Sequence, residues 1–287
     1  MKVIGVLYTG DLGSEVARLL TEVGHSVITT VQGRSEKTKL LAEKAGIPTD
    51  YSLEDIAQTA DIVISLVPPD KARDVAVRFA KACKGRSSLY VEANSVAPMT
   101  AKGIRDELRN AGIDMVDAAF FGSSQHLQSH GVLYISGGQC KALADIFQEI
   151  MSVRVLGSEV GQASSMKMLI GGLNKGLAAL FIELACAAEK GDMLQDMISN
   201  YEVLYPGIME VIRRIIPTYP SHAVRRVAEL SELAETMSWL GSSSNVIEGA
   251  RTTIELISSS DESLQNLEEM VVAWSALLRV RPSRREE

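Results

Sequence analysis

The opening stretch of the chain switches hydrophobic period twice, and few folds accommodate that order. Val3 to Leu7 is a short continuous apolar run, as a buried strand requires. A turn follows, Tyr8-Thr9-Gly10-Asp11-Leu12-Gly13. Val16, Ala17, Leu19, Leu20 and Val23 then mark one helix face, and Gly24 stops it. Val27 to Val31 reads as a second strand. Strand, glycine turn, helix and strand in this order form the βαβ unit of a dinucleotide-binding fold. Gly10 and Gly13 match the second and third glycines of GxGxxG, and Tyr8 stands where the first belongs. The second glycine lets the backbone approach a pyrophosphate and the third lets helix pack on strand. The first serves the tight turn, so its replacement reshapes the turn without removing anion binding at the helix N-terminus. The competing reading is an α/β domain whose phosphate site is unused.

The end of the second strand bears on which nicotinamide cofactor fits. Where an NAD-specific fold places an acid, this chain reads Thr29-Thr30-Val31-Gln32-Gly33-Arg34-Ser35-Glu36-Lys37. Arg34 is a planar donor suited to a 2′-phosphate, with Ser35 and Lys37 in support, so the expected cofactor is NADP. The alternative is a solvated turn with Ser35 as a helix N-cap.

The α/β alternation then repeats. Ser52 and Asp55 have the spacing of a capping box. Asp61 to Val67 is a strand ended by Pro68-Pro69, with a helix from about Asp70 to Cys83. Ser88 to Glu92 is the next strand, and Pro98 opens a helix to about Ala111. Met115-Val116-Asp117 and Val132 to Ser136 are further strands. Strand ends at Val67, Glu92 and Asp117 deliver their loops to one sheet edge, where doubly wound folds bind ligands. From Gly157 on, the pattern is helical: Gly161–Gly191, Met193–Ile216, Ala223–Leu240, Val246–Ser258 and Leu264–Leu278, with a disordered tail expected over Arg279–Glu287. The fold class is therefore an α/β Rossmann dinucleotide-binding domain, residues 1–157, followed by an all-α domain, residues 158–287.

The first of those C-terminal helices is apolar around most of its surface after Lys167. A lysine there is paired, desolvated or used, unless it snorkels to solvent. Asn174 lies nearly on the same face two turns on.

Of the 287 residues, 46% are apolar and the net charge is −7, which argues against nucleic acid or an anionic membrane as a partner. Cys83, Cys140 and Cys186 are far apart with no CxxC, which suggests free thiols in a reducing compartment. No apolar run of bilayer length is free of glycines and charges, and no leader precedes the first strand, so a cytoplasmic protein is expected. His126 and His130 have a helical ligand spacing but no third ligand, so no metal is expected. Arg225, Arg226, Glu229 and Glu232 suit ion pairs along one helix. Ser164 and Ser165 lack a His–Asp partner, so no hydrolase is read.

A Rossmann domain followed by a helical domain that opens on a lysine-bearing helix resembles the β-hydroxyacid dehydrogenase superfamily, which includes 6-phosphogluconate and 3-hydroxyisobutyrate dehydrogenases, with imine reductases as cousins. The likeness spans essentially the whole chain and is most similar to a branch with a phosphogluconate-dehydrogenase-like C-terminal domain. It rests on Gly10 to Gly13, Gly33-Arg34-Ser35, Val67-Pro68-Pro69, Glu92-Ala93-Asn94-Ser95, Lys167 through Gly176, and Arg225 to Leu230. The resemblance implies that Gly10, Asp11, Leu12 and Gly13 wrap the pyrophosphate and that Arg34 and Ser35 meet the adenosine phosphate, with Tyr8, Thr9 and Gly33 also among the cofactor-binding residues. It implies that Val67, Pro68 and Pro69 border the nicotinamide, and that Asn94 and Ser95 lie near its ribose or the substrate. Lys167 matches the catalytic lysine, with Asn174 as a candidate helper, and the family packs its helical domains into dimers.

Two positions depart from that pattern. The family's substrate loop reads Asp-Ala-Pro-Val-Ser-Gly-Gly, and here Asp117 to Ser123 puts Phe121 in place of the serine that helps hold a carboxylate. Gly171 stands where an asparagine is usual. With Phe121, Gly122 and Ser123 as the substrate loop, a bulkier or less polar small molecule is expected. The expected activity is NADP-dependent hydride transfer at a carbonyl or hydroxyl carbon, with Lys167 as general acid or base. The alternatives are an imine reductase, although the relatives of that kind usually carry Asp or Tyr at the lysine position, and a non-catalytic NADP-binding scaffold.

Overall fold

Strand β1 (Val3–Leu7) is the second strand of a seven-stranded sheet that organises the first half of the protein. The computed structural model describes residues 1–258, 269–274 and 278. The chain falls into two compact units, Met1–Lys167 and Met168–Glu287, so the division lies inside a helix, beyond the boundary expected at Gly157.

In the first unit, β1 leads to α1 (Asp11–Glu22), β2 (Ser26–Ile28), α2 (Glu36–Lys44), α3 (Leu53–Thr59) and β3 (Ile62–Ser65). Then follow α4 (Ala72–Cys83), β4 (Leu89–Glu92), α5 (Pro98–Asn110) and β5 (Asp114–Phe121). The one-turn α6 (Leu127–His130), β6 (Val132–Ser136), α7 (Cys140–Phe147) and β7 (Ser152–Gly157) complete it, and α8 (Gln162–Lys190) crosses into the second unit. The sheet order is β2-β1-β3-β4-β5-β6-β7. Neighbours from β2 to β5 are parallel, β5 and β6 are antiparallel, and β6 and β7 are parallel again.

Alternation along each strand divides the core between the two faces of the sheet. Ile4, Val6, Ile62, Ile64, Val91 and Val116 pack against Leu19 and Leu20 of α1 and Phe147 of α7. Leu7, Val63, Tyr90 and Met115 face Ile56 of α3, Phe79 of α4 and Ile104 of α5. The pattern is near-continuously apolar because both faces are covered. Ser52 and Asp55 form the expected capping box at the start of α3.

The second unit is helical, with α9 (Leu194–Leu204), α10 (Pro206–Ile215), α11 (Ala223–Trp239) and α12 (Asn245–Ser258), and residues 269–274 are also helical. Its core includes Phe181, Ile182, Ile198, Ile212, Tyr219, Leu230, Ile254 and Trp274. The single helix expected over Met193–Ile216 is two. Pro206 has no N–H to continue α9 and pushes Tyr205 out of helical geometry, to φ −134° and ψ 53°, so the chain restarts with proline in the first turn of α10. Of the helix expected over Leu264–Leu278, residues 264–268 and 275–277 lie outside the described residues, as does the tail expected over Arg279–Glu287. Among the described residues, α8 is the one helix long and apolar enough to cross a membrane by length and composition. It carries Lys167, Lys175, Gly171, Gly172 and Gly176 within that length.

Candidate cofactor and catalytic site

From the end of β1 the chain turns through Tyr8, Thr9 and Gly10 into α1. Gly10 is the N-cap, and no side chain caps the helix, so the first N–H groups of α1 remain for an anion. A Cβ on Gly10 would meet nothing within 4 Å, whereas one on Gly13 would lie 2.1 Å from the Tyr8 carbonyl oxygen. Open backbone at Gly10 and forced contact at Gly13 are the two properties that the glycine pattern requires. Tyr8 is buried, and the Arg34 guanidinium lies 4.3 Å from its ring centre. The residue that breaks the glycine pattern thus supports the expected phosphate ligand.

Around this turn Thr9 is buried, Leu12 packs on the core, and Gly33 takes φ +68°, a conformation that favours glycine. Ser35 caps α2 by accepting the Thr38 N–H, so the structural alternative for this hydroxyl is realised. Lys37 pairs with Asp11 at 2.7 Å, both largely exposed, which is worth little to stability. The fold also brings Asp50 beside the end of β2, where its backbone bridges Thr30, a proximity that sequence spacing did not reveal. Gly10 to Gly13 thus present the open backbone and the uncapped helix start that a pyrophosphate requires.

Across the C-terminal edge of the sheet runs a row of buried polar residues. Ser65, Glu92, Asp117 and Ser136 are register partners on β3, β4, β5 and β6, and each is fully buried. Asn94 is tied into the row. Its Nδ2 donates to Ser65 Oγ at 3.0 Å and to Glu92 Oε1, its N–H donates to Glu92 Oε1 at 3.1 Å, and its Oδ1 accepts the Val67 N–H at 2.5 Å. The two loops expected beside the nicotinamide are thereby locked to each other. Burial pushes the Glu92 carboxyl up to about 8, against the bonds from Asn94 and with the Asp117 charge adding to the rise. Its Oε2 has no hydrogen-bond partner among the described residues. Pro68, Pro69 and Ser95 are exposed at the same edge.

Asp117 holds the start of α8. Its Oδ2 accepts the N–H of Gly161 at 2.9 Å, the N–H of Ser164 at 3.0 Å and the hydroxyl of Ser136 at 3.1 Å, while Oδ1 accepts the Ser164 hydroxyl. Ser136 Oγ in turn accepts the Ala163 N–H at 3.1 Å. Strand side chains thus satisfy backbone donors that a helix start leaves open. One turn further on, the Lys167 amine donates to the carbonyl oxygen of Phe120 at 2.9 Å and lies 5.5 Å from the ring centre of Phe121. Burial lowers its pKa from the ordinary lysine value. Lys167 is held by β5, and the snorkelling alternative is not what the structure shows.

Phe121 stacks edge-on against Tyr134 at 5.3 Å. Gly122, at φ +116°, and Ser123 are exposed beyond it. Ser123 Oγ is 3.1 Å from His126 Nδ1, and Ser129 Oγ is 2.8 Å from His130 Nδ1. Among the described residues no group of three or more His, Cys, Asp or Glu could hold a metal. Asn174 belongs to the second unit, about 10 Å along α8 from Lys167 by helical rise, so the two are not brought to one point. In that unit Glu229 pairs with Lys175 at 3.1 Å and Arg225 at 3.3 Å, while Arg226 stacks on Tyr219 at 3.7 Å.

Comparison with known proteins agrees with this architecture. The model for the NAD binding domain of 6-phosphogluconate dehydrogenase matches residues 3–172, and a domain of unknown function matches residues 188–257. An uncharacterized 28.5 kDa protein of Methanothermus fervidus is 32% identical over 199 residues, 69% of this chain and 76% of that one. An NAD-dependent L-serine dehydrogenase of Pseudomonas aeruginosa is 28% identical over 148 residues, 50% of this chain and 48% of its own length. Among solved structures, 3-hydroxyisobutyrate dehydrogenase of Mycobacterium tuberculosis with L-serine matches with a TM-score of 0.71 at 14% identity, covering 98% of this chain and 100% of that one. An imine reductase variant from Myxococcus stipitatus in complex with NAD+ matches with a TM-score of 0.55 at 19% identity, covering 93% and 99%. At such identities the two structures speak to the fold alone. With its N-terminal domain matched over its full extent, the chain belongs to the family built on the NAD-binding domain of 6-phosphogluconate dehydrogenase, the nicotinamide-dependent, hydroxyacid dehydrogenase-like oxidoreductases.

Proposed function

We propose that the protein is an NADP-dependent oxidoreductase acting on a carbonyl or hydroxyl carbon of a small molecule, with Lys167 moving the proton that accompanies the hydride. The observation that carries this reading is the Lys167 amine, half-buried and bonded to the Phe120 carbonyl in the same unit as the phosphate turn. When bound, the nicotinamide gives or takes the hydride. The chain supplies the rest. The uncapped start of α1 binds pyrophosphate, and Arg34, backed by the Tyr8 ring, favours the additional phosphate of NADP. The tie between Val67 and Asn94 orients the loops beside the ring. Protonated Lys167 donates to a forming alkoxide, and burial eases the loss of that proton. In the reverse direction the neutral amine accepts it.

Phe121, where the family carries a serine, favours a bulky or weakly polar substrate over a small hydroxyacid. A second reading, reduction of an imine, draws support from the fold shared with the imine reductase. Retention of the lysine favours the carbonyl and argues against a non-catalytic scaffold. The net charge of −7 and the free thiols of Cys83, Cys140 and Cys186 favour a cytoplasmic protein with no nucleic-acid or membrane partner.

The test is Lys167→Met, which keeps the stem and its packing, assayed over aldehydes, ketones, hydroxyacids and imines. We expect kcat to fall by about 10²–10⁴-fold, with NADPH affinity unchanged and tighter than that for NADH. Near-normal turnover of the variant would sink the role of Lys167, and equal affinities for the two cofactors would sink the NADP preference.

A further inference from the structure

The row of buried polar residues ends where α8 begins, and the two facts have one residue in common. Asp117 is fully buried on β5, far in sequence from α8, and all four hydrogen bonds reaching its carboxylate come from α8's approach, α8's first turn or Ser136. Three residues beyond Asp117 on the same strand, Phe120 supplies the carbonyl that takes the Lys167 amine. Three residues beyond Ser164 on the helix, Lys167 supplies that amine. Strand and helix are thus joined at two rungs, Asp117 with Ser164 and Phe120 with Lys167. Only the first uses a carboxylate, which accepts every bond and donates none. A charge at a helix start is also favoured by the helix dipole.

We propose that Asp117 is a positioning residue for Lys167: by clamping the first turn of α8 to β5, it seats the amine against Phe120. The proposal rests on the catalytic reading of Lys167 for its purpose, but the seating itself is a separate claim. Ser164 is its partner on the helix, and Ser136 braces both Asp117 and Ala163. The charged and titratable groups facing Asp117 are Glu92 on the neighbouring strand and Cys140 at the start of α7. Burial alone accounts for the shift at Lys167.

If the first rung fails, the second loosens, and the amine reaches water. Asp117→Asn keeps the shape but removes the charge: with its nitrogen on the Oδ2 side it opposes the N–H groups of Gly161 and Ser164, and with it on the Oδ1 side the Ser164 hydroxyl turns to accept and every remaining bond to the side chain loses its charge assistance. Ser164→Ala is milder, because it leaves both backbone bonds to Asp117 in place.

The experiment follows the pH dependence of Lys167 acylation by a small amine reagent, read by mass spectrometry, in the unchanged protein and both variants. NADPH affinity and melting temperature are measured alongside. In the unchanged protein Lys167 should titrate below an ordinary lysine, near 10.4. Asp117→Asn should raise its midpoint towards that value and speed its modification at alkaline pH no more than a free lysine's, with NADPH affinity intact. Ser164→Ala should move it part of the way. A lower melting temperature with an unmoved Lys167 midpoint would mean that Asp117 is structural only, and the proposal fails. Should Asp117→Asn not fold, the Ser164→Ala midpoint decides by the same criterion. An ordinary midpoint in the unchanged protein defeats both the seating and the catalytic reading. A depressed midpoint that moves as expected, beside a normal Lys167→Met turnover, defeats the catalytic reading alone.

Discussion

Glu92 and Asp117 are neighbouring carboxyls in one dry row, and the chain treats them differently. Asp117 collects donors on both oxygens, while Glu92 shares one oxygen with Asn94 and leaves the other without a hydrogen-bond partner among the described residues. Burial pushes both carboxyls up; on Asp117 the bonds from Ser164, Gly161 and Ser136 work against the rise, and Glu92 is carried to a pKa of about 8 against an ordinary 4.5. The consequence for stability has a definite sign. Folded, Glu92 keeps a proton that the unfolded chain releases, so its contribution is present below 4.5 and is lost as the pH rises through about 8. Over that window the slope reaches at most about 1.4 kcal/mol per pH unit. Glu92→Gln, which is neutral throughout, should flatten this part of the curve. Urea midpoints taken across the window check it, and parallel curves for the two proteins would refute it. Tyr8 teaches a different residue-scale lesson. Sequence spacing marked it as a missing glycine, but its use as a platform for Arg34 depends on a fold that brings two turns together.

At the scale of elements, α1 shows how much a pair of glycines accomplishes. A Cβ at Gly13 would drive into the Tyr8 carbonyl, a main-chain atom that cannot swing aside. Gly13→Ala should therefore cost about 1–3 kcal/mol or more by pushing α1 off β1. Gly10→Ala meets open space and should leave stability alone while weakening NADPH binding, since the added methyl stands where a phosphate would approach. Denaturant titrations of both variants, with cofactor binding beside them, separate the two roles, and equal stability losses would contradict the assignment. The glycine turn, the capping box at Ser52 and the helix opened by Pro98 were legible because each depends on residues a few positions apart. The clamp from Asp117 to α8 was not, because its partners are distant in sequence and nothing local marks them. The edge strand β7 is half exposed and lacks the apolar run that announces a buried strand. The break at Pro206 was masked by the apolar periodicity on both sides of it, although the proline itself was the signal.

At the scale of the whole molecule, the second unit leaves a good deal of apolar surface open to solvent. Leu173 is 67% exposed and Leu180 56%, both on α8, and Leu177, Leu180, Phe181 and Leu184 line an apolar groove with Tyr201, Tyr205 and Ile208. Surfaces of this kind mark interfaces. We propose that two copies of the chain cover it together. Light scattering at micromolar protein should give twice 31.0 kDa, and Leu180→Glu should shift the mass towards a single chain. A single-chain mass for the unchanged protein would contradict the dimer. The place where the chain divides has its own consequence. Because the boundary falls just after Lys167, the phosphate turn, the polar row, Phe121 and the lysine all lie in one compact unit. A substitution in that unit at Phe121, the proposed determinant of substrate size, therefore changes the surroundings of the Lys167 amine as well, because the amine lies 5.5 Å from the Phe121 ring centre.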